Sequence, residues 1–167
     1  KKIEMINGSW HGSVDNFMFD LNKKNEIIGK SGSNFYKDEV LMLEYNNIEQ
    51  SLNLLKKNRK KISGLIMEPI QASCPDEQSE NYVKTIYNFC KKNKIYIIFD
   101  EIITGLRNKK LCVFKKLNLT PDIVTFAKIF GGGLPIGICC INKNLNSKLN
   151  SLNEKVFFGG TFSGNPF

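Results

Sequence analysis

An α/β fold built on a mainly parallel sheet flanked by helices is the architecture this sequence predicts, and three observations predict it. Short apolar runs at residues 62–67, 95–99 and 123–126 have the length and composition of buried strands. Two intervening segments, 47–61 and 79–93, carry apolar residues at helical spacing. Asp100 and Lys128 each close one of the apolar runs and stand 28 positions apart, a separation that suits one strand, crossover and strand unit. With 167 residues, 41% of them hydrophobic, the chain has material for one compact core and hence one domain.

Taken in order, residues 3–6 read as a short strand that runs into the turn-forming group Asn7-Gly8-Ser9, after which come Trp10 and His11. Residues 22–34 are polar and rich in glycine, serine and lysine, which predicts an excursion over the surface. Asn47 is placed to cap a helix whose inner face is Ile48, Leu52 and Leu55. The strand at 62–67 stops at Glu68-Pro69, and the loop 71–75 then lies over the same end of the sheet. Tyr82, Ile86, Phe89 and Cys90 form the core stripe of the next helix, which leads into the strand ending at Asp100. Glu101 and Thr104-Gly105 turn the chain beyond it. After Lys128 and three consecutive glycines, residues 136–141 read as a further strand, and Leu145, Leu149 and Leu152 space out a short amphipathic helix.

Four residues carry the chemistry. Lys128 follows a β-branched apolar run and precedes Gly131-Gly132-Gly133, so it is expected at a strand end. An amine in apolar surroundings resists protonation, and a neutral amine attacks carbonyls, which is Schiff-base chemistry. The plainer alternative is a surface lysine beside a loop. Asp100, if its strand neighbours that of Lys128, emerges at the same carboxyl edge, where ligands of such sheets bind. There a carboxylate can pair with a protonated pyridine nitrogen while the lysine holds the aldehyde carbon of the same ring, as pyridoxal phosphate requires. A helix cap is the alternative role for this aspartate. Trp10 offers an aromatic face for stacking on a flat ring, or is an ordinary half-buried tryptophan. Thr161, next to Gly159-Gly160, offers a hydroxyl and free backbone amides to a phosphate dianion, or sits in a plain turn.

Other classes of function find less support. The balance of 24 Lys+Arg against 16 Asp+Glu gives +8, but the basic runs at 56–61, 91–94 and 107–110 fall at expected helix ends and loops. They are read as solvated charge not focused on one surface, so nucleic acid is not expected as a partner. Five cysteines show no metal-ligand spacing, and their odd number without a secretory segment predicts a reducing, cytoplasmic setting rather than disulfides. Cys139 and Cys140, in an apolar run, are expected in the core. No apolar stretch reaches membrane-spanning length, and the single histidine, His11, cannot build a metal site alone; it is expected to contact substrate or order a loop without acid-base work.

Several segments match family motifs in order: Gly8-Ser9-Trp10-His11-Gly12, Met67-Glu68-Pro69-Ile70, Phe99-Asp100-Glu101 through Arg107, Thr120-Pro121-Asp122, Ala127-Lys128 through Gly137, and Gly160-Thr161-Phe162-Ser163-Gly164-Asn165-Pro166. On these the chain resembles the class III, fold type I pyridoxal-phosphate aminotransferases, and within them the glutamate-1-semialdehyde aminomutase branch. The resemblance implies that this is part of the cofactor-binding large domain, with Lys128 as the cofactor-bearing, proton-shuttling amine. It also implies that Asp100 pairs with the ring nitrogen and Trp10 stacks on the ring. Thr161 would reach the cofactor phosphate of the other subunit, so a homodimer is implied. Arg107 and Glu101 are implied to be structural or ion-paired neighbours. Ser73 occupies a position where relatives often carry asparagine or an acid to hold the ring oxygen or substrate. Ile103 stands where many transaminases carry glutamine for the ring hydroxyl, and an apolar residue there favours the aminomutase branch. The implied reaction converts glutamate 1-semialdehyde to 5-aminolevulinate. An ω-amino-acid or amino-sugar transaminase is the second reading, and a non-catalytic module that binds polyanions is a third of another class. An N-terminal segment, an upstream phosphate loop and a C-terminal small domain of the family are expected to be missing, leaving these residues alone with weak cofactor binding or none.

Overall fold

The computed structural model describes residues 1–30, 36–75 and 79–152. Six strands form one sheet in the order β4-β1-β5-β6-β7-β8. They are β1 (Lys2–Ile6), β4 (Val40–Leu43), β5 (Ile62–Met67), β6 (Tyr96–Asp100), β7 (Ile123–Ala127) and β8 (Gly137–Ile141), and only β8 runs antiparallel to its neighbour. The crossovers include helices α1 (Ile48–Asn58), α2 (Ser79–Lys92) and the single turn α3 (Val113–Lys116), and α4 (Lys143–Asn150) follows β8. In a separate antiparallel hairpin, β2 (Phe19–Leu21) pairs with β3 (Ile27–Gly29), whose strand and preceding turn fall in the region 22–34 read from sequence as a surface excursion, while residues 31–34 of that region lie outside the described residues. Phe19 is its buried anchor, and the polar composition belongs to the turn.

The sheet separates two cores because successive side chains of a strand point to opposite faces. On one face Leu65 and Met67, Ile97 and Phe99, and Val124 and Phe126 meet Leu55 of α1 and Tyr82, Val83, Ile86 and Cys90 of α2. On the other, Met5, Met42 and Ile66 pack under Phe19 of the hairpin. Asn47 caps α1 as its sequence position predicts, its Oδ1 accepting from the Gln50 amide at 3.1 Å. Strand β4 was not assigned from sequence.

One core position breaks the apolar pattern. Glu4, in the middle of β1, is fully buried, and neither carboxyl oxygen has a hydrogen-bond partner among the described residues. Burial away from water pushes its pKa up to about 8, so the group is held mostly neutral at pH 7.

Two expectations are corrected by the topology. Cys139 and Cys140 are exposed, because β8 is the outermost strand and nothing among the described residues covers it. The basic runs are not scattered. In a parallel sheet each crossover helix runs back to where the next strand begins, so runs 56–61 and 91–94, at the ends of α1 and α2, come to lie at the starts of the neighbouring strands β5 and β6. Only run 107–110 belongs to the opposite, carboxyl edge. Among the described residues no helix is long and apolar enough to cross a membrane.

Candidate active site

The site is built where the parallel strands end. Strands β6 and β7 are neighbours, and Asp100, the last residue of β6, sits opposite Thr125. Three groups hold its carboxylate. The Ile102 amide donates to Oδ1 at 3.1 Å, and the Thr125 hydroxyl reaches the same oxygen at 3.4 Å. His11 Nδ1 lies 2.8 Å from Oδ2. A carboxylate only accepts, so Nδ1 carries the proton of that bond. Both side chains are withdrawn from water, with 1% of His11 and 5% of Asp100 exposed. The Ile102 contact resembles the local capping role weighed from sequence, but the aspartate's other oxygen faces the histidine from a distant loop.

Lys128 follows the end of β7, three residues beyond the partner of Asp100, so the amine and the acid share the carboxyl edge on adjacent strands. Its φ of 50° lies in the left-handed region, which costs a non-glycine residue about 1–2 kcal/mol. Such strain concentrates at functional sites. The single 3-10 turn of residues 128–131 and then Gly132 and Gly133, at φ 57° and 101°, reverse the chain into β8. Beneath this turn, Phe130 and Phe126 pack with ring centres 4.6 Å apart at a tilt of 37°, and a Cβ on Gly105 would come within 2.7 Å of both Phe130 and the Glu101 carbonyl. The absence of a side chain at Gly105 therefore seats the lysine turn on the turn after β6. The apolar surround expected for the amine is not found: Lys128 is exposed.

The other residues singled out from sequence distribute around this pair. Trp10 is 52% exposed, its backbone amide tied to Glu68 Oε1 at 2.8 Å and its ring 5.6 Å from the Lys30 ammonium. Ile103, half-buried, lines a cleft of about 470 Å³ with Ile70, Pro75, Arg107 and Val113. Ser73 uses its hydroxyl to donate to the Gly8 carbonyl at 2.8 Å, which ties the loop after β5 to the turn after β1. Thr161 lies outside the described residues.

Three further residues are of consequence: Glu68 and Gln71 had no site role from sequence, and His11, expected to contact substrate or order a loop, was not expected to partner Asp100. His11 is the partner of Asp100, and its Nε2 is buried without a partner among the described residues. Glu68 receives the Trp10 amide on one oxygen and the Ala72 amide, at 3.0 Å, on the other. Gln71, buried, donates from Nε2 to the Asn7 carbonyl at 2.7 Å and the Ser9 hydroxyl at 2.9 Å. Together they lock the Trp10-His11 segment over the end of β6. The signal for His11 was its position beside Trp10, but the partner 89 residues away is visible only in the fold. Glu101, with oxygens on the Thr104 hydroxyl and the Val113 and Phe114 amides, caps α3 and plays the structural part implied for it, whereas the alternative of an ion pair with Arg107 is not found among the described residues.

This donor set fits a pyridoxal cofactor. Asp100 Oδ2 keeps a lone pair beyond the one that His11 occupies, an acceptor for a ring N–H. Trp10 has ring area free for stacking, and Lys128 has a free route to an aldehyde. Among the described residues no cluster of histidine, cysteine and carboxylate side chains is arranged to hold a metal ion.

Comparison with known proteins points the same way. The chain is 34% identical to the glutamate-1-semialdehyde 2,1-aminomutase of Clostridium beijerinckii over 99% of its own length and 39% of that protein's. It superposes on an ω-transaminase from Sphaerobacter thermophilus with a TM-score of 0.83 at 24% identity, covering 99% of this chain and 40% of that one. A glutamate-1-semialdehyde-aminomutase from Pseudomonas aeruginosa in complex with PMP gives a TM-score of 0.79 at 17% identity, covering 99% and 39%. The chain thus spans about two-fifths of the length of these relatives. The sequence profile described as aminotransferase class III matches residues 1–167, end to end, and the chain belongs to that family.

Proposed function

We propose that this chain is the cofactor-holding part of a pyridoxal-phosphate enzyme that moves amino groups, and that its leading reaction is the conversion of glutamate 1-semialdehyde to 5-aminolevulinate. The observation that carries the reading is the convergence of Asp100 and Lys128 at the ends of neighbouring parallel strands. When bound, the cofactor supplies an electron sink that stabilises negative charge on the substrate carbon. The protein's own residues do the rest. Asp100, anchored by Ile102 and Thr125 and held in orientation by His11, keeps a proton on the ring nitrogen. Lys128 would hold the cofactor at its aldehyde carbon, and its amine would be the group that takes and returns protons at the substrate. Trp10 covers one face of the ring and fixes its plane.

The finer assignments rest on the family likeness. Ile103 puts an apolar side chain where a glutamine would address the ring hydroxyl, which favours the aminomutase over the transaminase reading. Ser73 stands near the ring oxygen or substrate, and Thr161 anchors the phosphate in the partner of a homodimer. An ω-amino-acid transaminase is the second reading, supported by the likeness to the Sphaerobacter thermophilus enzyme.

Two measurements test this. Borohydride reduction of the intact protein with pyridoxal phosphate, followed by peptide mapping, places the label on Lys128, and Lys128→Ala removes it; label on surface lysines alone, indifferent to that substitution, rejects the site. An assay with and without an added keto acid then separates the reactions, because a mutase needs no external amino acceptor.

A further inference from the structure

The edge of the sheet opposite the candidate site has a composition that the proposed reaction does not use. Lys2 opens β1, Lys60 and Lys61 precede β5, Lys94 precedes β6, and Lys148 of α4 stands over Tyr96, the first residue of β6. Strands β1, β5 and β6 are consecutive in the sheet, and neighbouring strands lie about 4.8 Å apart, so these ammonium groups form a row rather than a scatter. Lys94 is fixed in that row by its backbone. It takes φ 57° at the end of α2, where the Ile95 amide returns to the Cys90 carbonyl at 3.0 Å and turns the chain into β6.

Acids nearby do not neutralise the row. Asp122 is engaged by Lys91 at 3.0 Å, and Asp38 and Glu39 share a hollow with Lys1, Lys2, Lys60 and Lys61, where two carboxylates face four ammonium groups and leave the surface cationic. Lys2, Lys60, Lys61 and Lys94 have no carboxylate partner among the described residues. Tyr96 is 39% exposed, with the Lys148 ammonium 5.7 Å from its ring centre, and a hollow of about 410 Å³ opens between Lys91, Lys94, Tyr96 and Lys148.

We infer that this amino edge binds single-stranded nucleic acid, with the lysine row tracking the phosphates and Tyr96 giving one base a stacking platform. The occupant follows from the surface. A folded acidic protein would need an apolar interface core, and a membrane would need inserting apolar groups, whereas this edge offers ammonium groups around one aromatic ring. Cations with an interleaved aromatic are what a flexible polyanion with flat bases uses. Gathering of the row follows from topology, because crossover helices of a parallel sheet deliver their cationic C-terminal turns to the strand starts.

The test is fluorescence anisotropy of the intact protein with a labelled 12-nucleotide oligo-uridine and a labelled polyglutamate of equal charge. About five phosphate contacts give a slope of log K on log salt near −3.5, so raising KCl from about 50 to about 200 mM weakens binding of the oligonucleotide about 100-fold. The triple variant Lys61→Gln, Lys94→Gln, Lys148→Gln loses about two from the magnitude of that slope and at least about tenfold in affinity at the lower salt. Tyr96→Ala weakens binding about fivefold or more with the slope unchanged. A variant with equal charge loss elsewhere, Lys23→Gln, Lys24→Gln, Lys109→Gln, binds as the parent does. Equal weakening by the two triple variants, no binding of the oligonucleotide, or polyglutamate bound as tightly as the oligonucleotide would each overturn the inference.

Discussion

Asp100 and Lys128 end neighbouring strands, yet the protein treats them in opposite ways. The acid is buried, with both oxygens engaged by Ile102, Thr125 and His11. The amine is exposed and positioned by its backbone, through a left-handed φ and the seat that Gly105 leaves for Phe130. The difference separates two tasks. A group that must hold one charge state and one orientation throughout a reaction gains from a fixed network, whereas one that must attach, release and carry protons needs room to move. Glu4 supplies the third term, a carboxyl as buried as Asp100 but with no donor among the described residues.

Substitutions that sharpen this contrast rank by their effect on turnover of the intact enzyme. Lys128→Ala, measured by product formation under saturating substrate, is expected to lower kcat by about 10⁴-fold while leaving the thermal midpoint nearly unchanged, because the side chain packs against little. Asp100→Asn keeps the shape and one acceptor but removes the charge, and kcat is expected to fall by about 10²- to 10³-fold. His11→Phe leaves Oδ2 without its donor; a fall of about 10- to 100-fold is expected, with His11→Asn recovering part of it through a side-chain amide that can still donate. A loss no smaller in His11→Asn than in His11→Phe would mean that the ring's volume, not its hydrogen bond, matters. Gly105→Ala pushes a methyl into Phe130, costing about 1–3 kcal/mol of stability by denaturant unfolding together with a several-fold loss of kcat.

Glu4→Met touches neither group and is expected to leave kcat unchanged while stabilising the protein at pH 7, since an unpartnered buried polar group is removed. The pH dependence has a defined sign. The folded pKa, about 8, lies above the ordinary value of 4.5, so between these values the folded state binds the extra proton. Stability contributed by that proton is complete below pH 4.5, falls as pH rises, and is gone above about pH 8. Unfolding curves for the parent and Glu4→Met should therefore diverge as pH rises from 5 to 8, by about 1.4 kcal/mol per pH unit at most.

Much of the architecture was legible because long apolar runs and helical stripes are local signals. Strands β5, β6 and β7, helices α1 and α2 and the Asn47 cap stand where periodicity and capping chemistry put them. Less was legible wherever the outcome depends on position in the sheet. Cys139 and Cys140 lie in an apolar run that looks like core, yet β8 is outermost and leaves both exposed. The basic runs looked scattered because the parallel connection that gathers two of them is not written in either run. At the site, Asp100 and Lys128 were found from their places at strand ends, but the exposure of the amine and the His11 partner of the acid depend on loops that only the fold brings together. Glu4 shows a limit of another kind: alternation along β1 marks it as inward-facing, while its charge marks it as outward.

The central claim is that Lys128 and Asp100 act on one pyridine ring, and nitrogen-15 NMR of the intact protein tests it directly. Pyridoxal phosphate labelled at the ring nitrogen would be trapped on the protein with borohydride and the labelled peptide mapped afterwards. The account predicts label on Lys128, with the ring nitrogen protonated at pH 8 in the parent protein and deprotonated in Asp100→Asn. A nitrogen signal that ignores the Asp100 substitution while the label sits on Lys128 would contradict it, since the acid would then be addressing something other than the ring that the amine holds.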